Sequence, residues 1–555
     1  MLLEYQFDYR SFSLVYEKIF LRTLKSLNLE GRLSRDKFIL KLYVKAETPQ
    51  KLEEFATLFD ESLPHSIFLY SVEANIVEDF PKESLELSSQ KKLPLPFCPK
   101  CLKEVMDSEH SNYYNIFTEC EVCGYGVKGE AKSYKKDFQR IAKLIKNGEN
   151  IRLNTSYGTY TVGLLINTNS DMNFDVIAYD YATINKYTHI DDFETKAIAS
   201  FEKPFIKLKT KLNFKVDFEN IELDLLRFKL PDDFILHFLM QMLNKLEINL
   251  IFITEDKIKT KVSLFLLEPK EILEPIEVVV SQKHIAIIKG EKGLPKFPAK
   301  TSKIIPAKGA FYSIIKEHRL SDENIAGIYL SKKYQNTILV HGQKYGTVEY
   351  LSLGFKFNSI KDIFDEIQST NETGEKIVNN YQKKFPEHFD RIVNIVFEEN
   401  SFNIYKLWGV LSIILDFTIS NDILVGATVL EENSMSFSGA KGPRIDYKLH
   451  KIEDKTVLDP LMVIRTAMSF RLADVDSLTL SYGIVESFAE FISAELDNIK
   501  ESMNTSAVAI SGSLLENKKL FIKISTDCVI NHTLYFNNQL LVDENNIFYG
   551  DSPEF

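Results

Sequence analysis

FCPKCLKEVMDSEHSNYYNIFTECEVCGYG, residues 97–126, holds four of the chain's five cysteines as two C-x-x-C pairs separated by eighteen residues. Each pair can turn a tight knuckle with both thiolates on one side. A tetrahedral Zn²⁺ with Zn–S bonds of about 2.3 Å would then close the loop between them. Cys98, Cys101, Cys120 and Cys123 are therefore the candidate metal ligands, and folding and zinc binding would be one event. Two disulfides are a competing use of the same residues. They need an oxidising compartment, whereas the chain opens MLLEYQFDYR with no cleavable signal pattern, which favours zinc. A redox C-x-x-C motif accounts for one pair and not for two. Four thiolates leave no open coordination position, so the expected ion is structural.

With 555 residues, the chain has room for about three to four domains, each able to bury a core. Hydrophobic residues make up 45% and charged residues 26%, the balance of a folded, soluble protein. The longest apolar runs, such as INLIFI (248–253) and VLSIIL (410–415), fall far short of the roughly 20 residues of a membrane helix. A cytoplasmic protein without membrane insertion is expected. The net charge of −11 counts against nonspecific nucleic-acid binding over the whole surface. Cys528, in the apolar and strand-like run LFIKISTDCVI, is expected to be a buried, inert thiol.

Residues 1–90 read as strand, helix, strand, helix, strand. Helical periodicity runs over Phe12–Leu27, strand character over FILKLYVKA (38–46), and a Thr-capped helix over TPQKLEEFATLFDESL (48–63). KKLPLPF (91–97) stiffens the entry to the cysteine segment. Tyr134–Asn147 predicts an amphipathic basic helix ended by Gly148. Strands near 160–166, 174–179 and 248–254 and a helix over 233–245 then give an α/β unit. GEKGLPKFPAKTSK (290–303) has the composition of a linker. The remainder reads as a larger α/β unit, with strands at IAGIYLS (325–331), IVNIVF (392–397) and AVAIS (507–511) and a long helix at Tyr482–Lys500.

The cysteine stretch resembles the HypF family, the carbamoyltransferases of [NiFe]-hydrogenase maturation. That family's pattern is C-P-x-C-L-x-E, D-P, an aromatic-rich turn and C-x-x-C-G-P, and CPKCLKE, DSEHSNYYNIF and CEVCG occupy those places here. The resemblance extends along nearly the whole chain. KKDFQRIAKLIKNGENI (135–151) is similar to the family's YrdC-like opening, FEKPF (201–205) to its K-P-F, and KGLPKFP (292–298) to R-G-Y-A-P-x-P. IVFEENSFNIYKLWGV (395–410) falls at D-G-T-G-Y-G…W-G-G, VAISGSLLENKKLF (508–521) at L-S-G-G-V-F-Q-N-R-x-L, and VDENNIFYGD (542–551) at N-D-G-G-I-x-x-G-Q. Length and divergence match a shortened, accessory branch encoded with membrane-bound [NiFe] hydrogenases. The resemblance implies a multidomain α+β and α/β protein. Its parts are an acylphosphatase-like domain (1–90), a four-cysteine zinc ribbon (91–130), a YrdC/Sua5-like domain (131–300) and a degenerate Kae1-like (ASKHA) domain (301–555).

The family's reactive residues do not carry over. The acylphosphatase-like phosphate loop needs glycines and an arginine. No glycine precedes Gly31, GRLSR (31–35) lacks the asparagine, and Arg10 is at most a remnant. Where R-K-x-R precedes K-P-F the chain reads KAIASFE (196–202), which leaves Lys196 and Lys203, with Lys207 and Lys209 nearby, as cations. The lysine of K-G-x-G-G falls at Asn154. H-H-x-A-H is replaced by IVNNYQKKF (377–385), and Asp-Gly-Thr-Gly by Glu398, Glu399, Asn400 and Ser401. Gly512 and Asn517 keep the outline of a phosphate loop, whose second glycine is Ser513. Asp543 or Glu544 falls at the family's aspartate position without its histidine partners, the setting of a solvated loop acid.

Two readings follow. One is a noncatalytic maturation factor, a zinc-stabilised scaffold that binds a HypE-type protein or the hydrogenase large-subunit precursor. The other is an active carbamoyltransferase using ATP and carbamoyl phosphate. It would pass the carbamoyl group through carbamoyl-adenylate to a HypE-type cysteine for the iron cyanide ligand, with Lys196, Lys203, Glu398, Glu399 and Asp543 rebuilding the sites. A threonylcarbamoyl-transfer relative acting on tRNA fits less well, because the ribbon and the N-terminal domain belong to the HypF arrangement.

Overall fold

The computed structural model describes residues 1–537 apart from 12, 37, 88–95, 170–171, 259, 261, 268–274, 283, 291–304, 400 and 453–454. By internal packing it divides into two compact units. The first is built on Met1–Val278 with Lys289, and the second on Val279–Ile288 with the C-terminal part of the chain.

The first unit opens with a four-stranded sheet of order β2-β3-β1-β4, from β1 (Leu2–Tyr9), β2 (Glu30–Asp36), β3 (Ile39–Lys45) and β4 (Leu69–Val77). Helices Val15–Leu27 and Pro49–Ser62 cover one face. The second starts as expected, with Pro49 at its first turn and the Thr48 hydroxyl accepting from the Lys51 N–H. Phe7, Tyr16, Phe20, Phe55 and Phe59 interlock as the core of this layer, Phe20 meeting Phe55 edge-on at 5.6 Å. β2 is one strand more than the sequence reading contains. Only Leu33 of EGRLSRD is buried, so its pattern is that of a polar turn.

A mixed seven-stranded sheet follows, of order β11-β5-β6-β10-β7-β9-β8. Its strands are β5 (Ile151–Thr155), β6 (Gly158–Gly163), β7 (Asp175–Ala178), β8 (Ile206–Lys209), β9 (Leu225–Lys229), β10 (Leu250–Thr254) and β11 (Val262–Leu264). Helices Lys135–Lys146 and Phe234–Asn244 pack together through Phe138 and Phe238, 5.5 Å apart. The hairpin of β12 (Glu277–Val280) and β13 (Ile285–Lys289) comes next in the chain.

In the second unit, β14 (Ile325–Tyr329), β15 (Thr337–Gly342) and β16 (Gly346–Ser352) form a meander, extended by the parallel strands β21 (Ala507–Ser511) and β22 (Thr533–Phe536) to the order β16-β15-β14-β21-β22. β14 and β21 are buried at every residue, as the apolar runs IAGIY and AVAIS require of central parallel strands. Between β16 and β21 the chain is mainly helical, with short hairpins of β17 (Phe355–Lys356) with β18 (Ser401–Phe402) and β19 (Leu449–Ile452) with β20 (Lys455–Leu458). The longest helix, Ser477–Met503, is capped by Asp476 and ends at Asn504 in the left-handed conformation. Trp408 is wholly buried in the helix Ile404–Ile414.

Two strand expectations are corrected. IVNIVF (392–397) ends the helix Pro386–Ile392 and makes a single bridge at Val396. LFIKISTDCVI lies mostly in the helix Lys518–Cys528: Leu520, Phe521, Ile524 and Cys528 fall at helical spacing on its buried face, and Asn517 caps it. Cys528 is buried as expected, and burial pushes its thiol up to about 11. The runs KGLPKFP (292–298) and VDENNIFYGD (542–551), Asp543 included, lie outside the described residues.

Candidate metal centre and candidate anion positions

Pro99 starts the helix Pro99–Met106, so Cys98 caps its N-terminus and Cys101 falls one turn along on the same side. The second pair turns where Gly124 takes φ +77, a left-handed conformation that glycine adopts without strain, and the Gly124 N–H donates to the Cys120 carbonyl at 3.0 Å. The knuckle closes through the Cys120 N–H on the Tyr125 carbonyl at 2.7 Å, and the Tyr125 N–H donates to the Cys123 Sγ at 3.5 Å. All four thiols are buried, and their Sγ atoms lie within 4.8 Å of one another. The Sγ separations are 3.7 Å for Cys98–Cys101, 3.9 Å for Cys98–Cys120 and 3.6 Å for Cys101–Cys123. A tetrahedron of sulfurs about 2.3 Å from zinc has edges of about 3.8 Å, so the donor set and its spacing fit that ion. A disulfide needs about 2.05 Å.

The segment is fixed to the seven-stranded layer by aromatic contacts. Phe97 stacks on Phe234 at 4.6 Å, Tyr125 meets the same ring edge-on at 4.7 Å, and Tyr114 lies 4.7 Å from Phe238. Asp233 caps the helix carrying both phenylalanines, accepting from the Leu236 and Ser156 N–H groups at 2.8 Å each. Burial and the neighbouring Asp232 charge push its carboxyl up to about 6. His237 beside Phe97 is pushed down to about 4 by burial and by Lys203.

At the first position where the family resemblance implies an anion, the loop after β1 is held by Arg35 of β2. Its guanidinium donates to Glu17 at 2.5 Å, to the Tyr9 carbonyl at 3.1 Å and to the Ser11 carbonyl. Glu17 sits wholly buried in the first turn of the helix Val15–Leu27, where an anion is favoured. Arg10 pairs with Asp8 at 3.0 Å and lies over the Tyr70 ring.

The seven-stranded layer holds a cavity of about 240 Å³ whose lining includes Tyr157, Tyr160, Phe205, Arg227, Lys229 and Glu277. Lys196 and Lys203 do not line it. Lys196 is exposed on the helix Asp192–Ile198, and Lys203, at φ +46, donates to the Ser200 carbonyl at 3.4 Å. Arg227 and Lys229 were missed in the sequence. Their only signal is two charges at strand spacing on β9, the pattern of a solvent-facing edge. Each is paired to acids of the chain. Arg227 grips Asp175 at 2.6 and 3.1 Å and Glu277 at 3.0 Å, and buried Lys229 grips buried Asp232 at 2.5 Å. Asn154, at the family's lysine position, accepts from Thr159 at 2.7 Å and donates to the Leu267 carbonyl at 2.9 Å.

In the second unit, β21 leads through Gly512 and the short 3-10 turn Ser513–Glu516 into the helix Lys518–Cys528. Gly512 has φ +115, and a Cβ there would stand 2.1 Å from the Leu330 carbonyl oxygen. Buried Asn517 accepts from the Leu520 N–H at 3.0 Å and donates to Ser434 at 3.0 Å, and Ser513 accepts from the Lys332 N–H at 3.0 Å. Lys332, which the sequence reading did not single out, extends its ammonium to Glu431 and Glu516, each at 2.7 Å. Glu398 is exposed, and Glu399 pairs with Lys406. The IVNNYQKKF (377–385) segment is mostly in the helix Glu372–Lys384, with Tyr381 buried.

No protein-family model matches the sequence. The structure of full-length HypF in its phosphate- and nucleotide-bound form superposes with a TM-score of 0.64 at 15% identity, over 99% of this chain and 97% of that one. T. kodakarensis HypF superposes at 0.67 and 10% identity over the same shares. The fold is that of HypF. Protein HydE of Wolinella succinogenes is 26% identical to it over 92% of this chain and 93% of that protein. No helix among the described residues is long and apolar enough to cross a membrane.

Proposed function

We propose that the chain is a noncatalytic accessory factor for [NiFe]-hydrogenase maturation, a scaffold whose Cys98, Cys101, Cys120 and Cys123 hold a structural zinc. Its domains follow the acylphosphatase-like, ribbon, YrdC-like and Kae1-like order at the boundaries set out above. It works in the cytoplasm and binds a HypE-type protein or the large-subunit precursor. The observation that carries this reading is internal neutralisation. Where the family resemblance implies a bound phosphate or nucleotide, the cations nearby are taken by the chain's own carboxylates: Arg35 by Glu17, Arg227 by Asp175 and Glu277, and Lys332 by Glu431 and Glu516. A cation held by a buried acid no longer presents net positive charge to an anion. Lys196, Lys203, Gly512, Asn517 and Asp543 are on this reading remnants, and Asn517 serves as a helix cap.

A second reading, the active carbamoyltransferase, is favoured by the cavity itself, which places Arg227, Lys229 and Lys289 around one space. Calorimetry of ATP and carbamoyl phosphate on the zinc-loaded protein separates the two. The scaffold gives no micromolar ATP affinity and no carbamoyl-phosphate-dependent ATP cleavage, while deletion of its gene lowers hydrogenase activity. Cleavage at ordinary enzyme rates, roughly 1 s⁻¹ or faster, overturns it.

A further inference from the structure

The four-stranded sheet covers one of its edges and leaves the other bare. At β2 the chain that follows β4 closes the edge: the Leu85 N–H donates to the Leu33 carbonyl at 2.8 Å, the Leu33 N–H to the Ser84 hydroxyl at 3.4 Å, and Arg32 to the Pro81 carbonyl at 3.0 Å. At β4, the opposite edge, residues 70–76 are all exposed. Among the described residues, 71–77 make no hydrogen bond beyond their pairing with β1. Edge strands are ordinarily protected by lysine, proline or a bulge. LYSVEANIV (69–77) has neither lysine nor proline, and the one shift in its pairing falls between Asp8 and Tyr9, at its N-terminal end.

The side chains are as unprotected as the backbone. Val72, Ala74 and Ile76 stand opposite Phe7, Tyr5 and Leu3 of β1, and so lie on the face that the helices cover, where Phe7 and Tyr5 pack against Phe59. Yet Val72 is 48% and Ile76 71% exposed. The apolar face of the sheet thus runs one strand beyond its helical cover.

We propose that β4 pairs antiparallel with β4 of a second copy of this chain, across a twofold axis at Ala74, to make one continuous eight-stranded sheet. The strand's own sequence selects this occupant and register. With Ala74 opposite Ala74, Val72 meets Ile76 twice and Glu73 meets Asn75 twice, so apolar groups face apolar groups and no like charges are opposed. Moving the axis to residue 73 sets Glu73 against Glu73, and moving it to residue 75 sets Val72 against Glu78. At residue 74, Glu78 of the second copy falls opposite Tyr70, whose ring carries the Arg10 guanidinium at 3.9 Å, so a carboxylate approaches a guanidinium at both ends of the ladder. Seven paired residues give a ladder about 24 Å long with about six main-chain hydrogen bonds, burying on the order of 1,000 Å² in total. That is the floor for a specific interface, so the dimer should form and dissociate with concentration in the micromolar range. The proposal does not rest on the maturation role, and failure of either leaves the other standing.

The test is sedimentation equilibrium of the full-length, zinc-loaded protein over roughly 1 to 100 µM. The mass should rise from 63.9 kDa toward twice that value. Val72→Lys or Ile76→Lys, each at an exposed side chain and each entering the interface twice, should weaken the dimer at least about tenfold with an unchanged thermal midpoint. The register is read by a short bismaleimide. The native cysteines are all buried, so Ala74→Cys supplies the accessible thiol and should crosslink, its partner about 5 Å away across the ladder. Ser71→Cys, about 20 Å from its own copy, should not. Three results overturn the proposal: a 63.9 kDa monomer at every concentration, which leaves the edge to an extended segment of a different protein; a dimer that both lysine variants leave intact; or crosslinking as efficient at residue 71 as at residue 74.

Discussion

Lys332→Met separates a structural ion pair from a phosphate ligand. The Lys332 ammonium lies 2.7 Å from both Glu431 and Glu516, whose side chains are 1% and 16% exposed. Burial alone would lower the lysine pKa, but the two carboxylates outweigh it and hold the group charged above the ordinary lysine range. Because the folded value is raised, its contribution is complete below the unfolded value of about 10.5 and is lost only as pH rises through the folded one. The deficit of the variant is therefore constant through neutral pH. Removing one partner of a buried pair costs about 3–5 kcal/mol, and the 20% exposure of Lys332 places this case near the lower end, about 3 kcal/mol. For a unit of this size that is a fall of about 6–12 °C in midpoint. The triple variant Lys332→Met, Glu431→Met, Glu516→Met replaces all three charged groups by apolar ones and should recover most of that deficit. The chain's one tryptophan, buried Trp408, lies in the same unit, so its fluorescence in a urea titration reads the transition. A single variant as stable as the parent, but without ATP affinity that the parent possesses, would show that Lys332 serves a ligand and refute the reasoning.

Cys101→Ser or Cys120→Ser should release the zinc from a protein that otherwise carries one ion per chain, and expose the 97–126 segment to proteolysis; unchanged metal content would remove the site assignment. His237, pushed down to about 4 by burial and Lys203, favours the folded state above about pH 6.5 and withdraws about 3 kcal/mol as pH falls toward 4. His237→Phe should flatten that limb, and parallel acid profiles for variant and parent would contradict it; the comparison cancels Asp233, whose raised value of about 6 acts in the opposite sense. Gly512→Ala places a Cβ 2.1 Å from the Leu330 carbonyl oxygen at φ +115 and should cost at least about 2 kcal/mol by Trp408 fluorescence, a cost absent if the turn relaxes freely.

What could be read from the sequence was set by local chemistry. The cysteine spacing bears directly on a four-sulfur geometry, and Thr48 before Pro49 or Gly148 after the Lys135–Lys146 helix are signals contained within one turn. β2 was missed because a polar strand with one buried side chain differs little from a loop, and its place is fixed by pairing with β3. The Lys518–Cys528 helix was misread because Ile522, Ile524 and Thr526 supply β-branched residues at strand spacing, while the apolar face at 520, 521, 524 and 528 was the stronger pattern. Arg227, Lys229 and Lys332 acquire meaning only from Asp175, Glu277, Asp232, Glu431 and Glu516. Except for Asp232, these partners lie far off in the chain, and no motif links the two sides of such a pair.

On the scaffold reading proposed above, that distribution bears on how the fold keeps its shape. A position built to hold an anion carries surplus donors, and without ligand those cations repel one another and leave N–H groups unmet. Two remedies exist: delete the cation, or supply an acid. On that reading KAIASFE (196–202) is a case of the first, and Glu202 there accepts from Ser66 and the Ile67 N–H at 2.7 and 3.0 Å, fastening the seven-stranded layer to the first sheet. Arg35, Arg227 and Lys332, each paired with acids of the chain, are on the same reading cases of the second. The second remedy preserves the turn geometry, and on the scaffold reading it sets up a specific obstacle to anion binding. Restoring one motif residue leaves the acid in place, so Glu431 would still compete for any phosphate-binding lysine, whereas removing the acid alone strands a half-buried cation. Freeing the Lys332 ammonium for an anion thus requires at least two simultaneous changes, at 431 and 516.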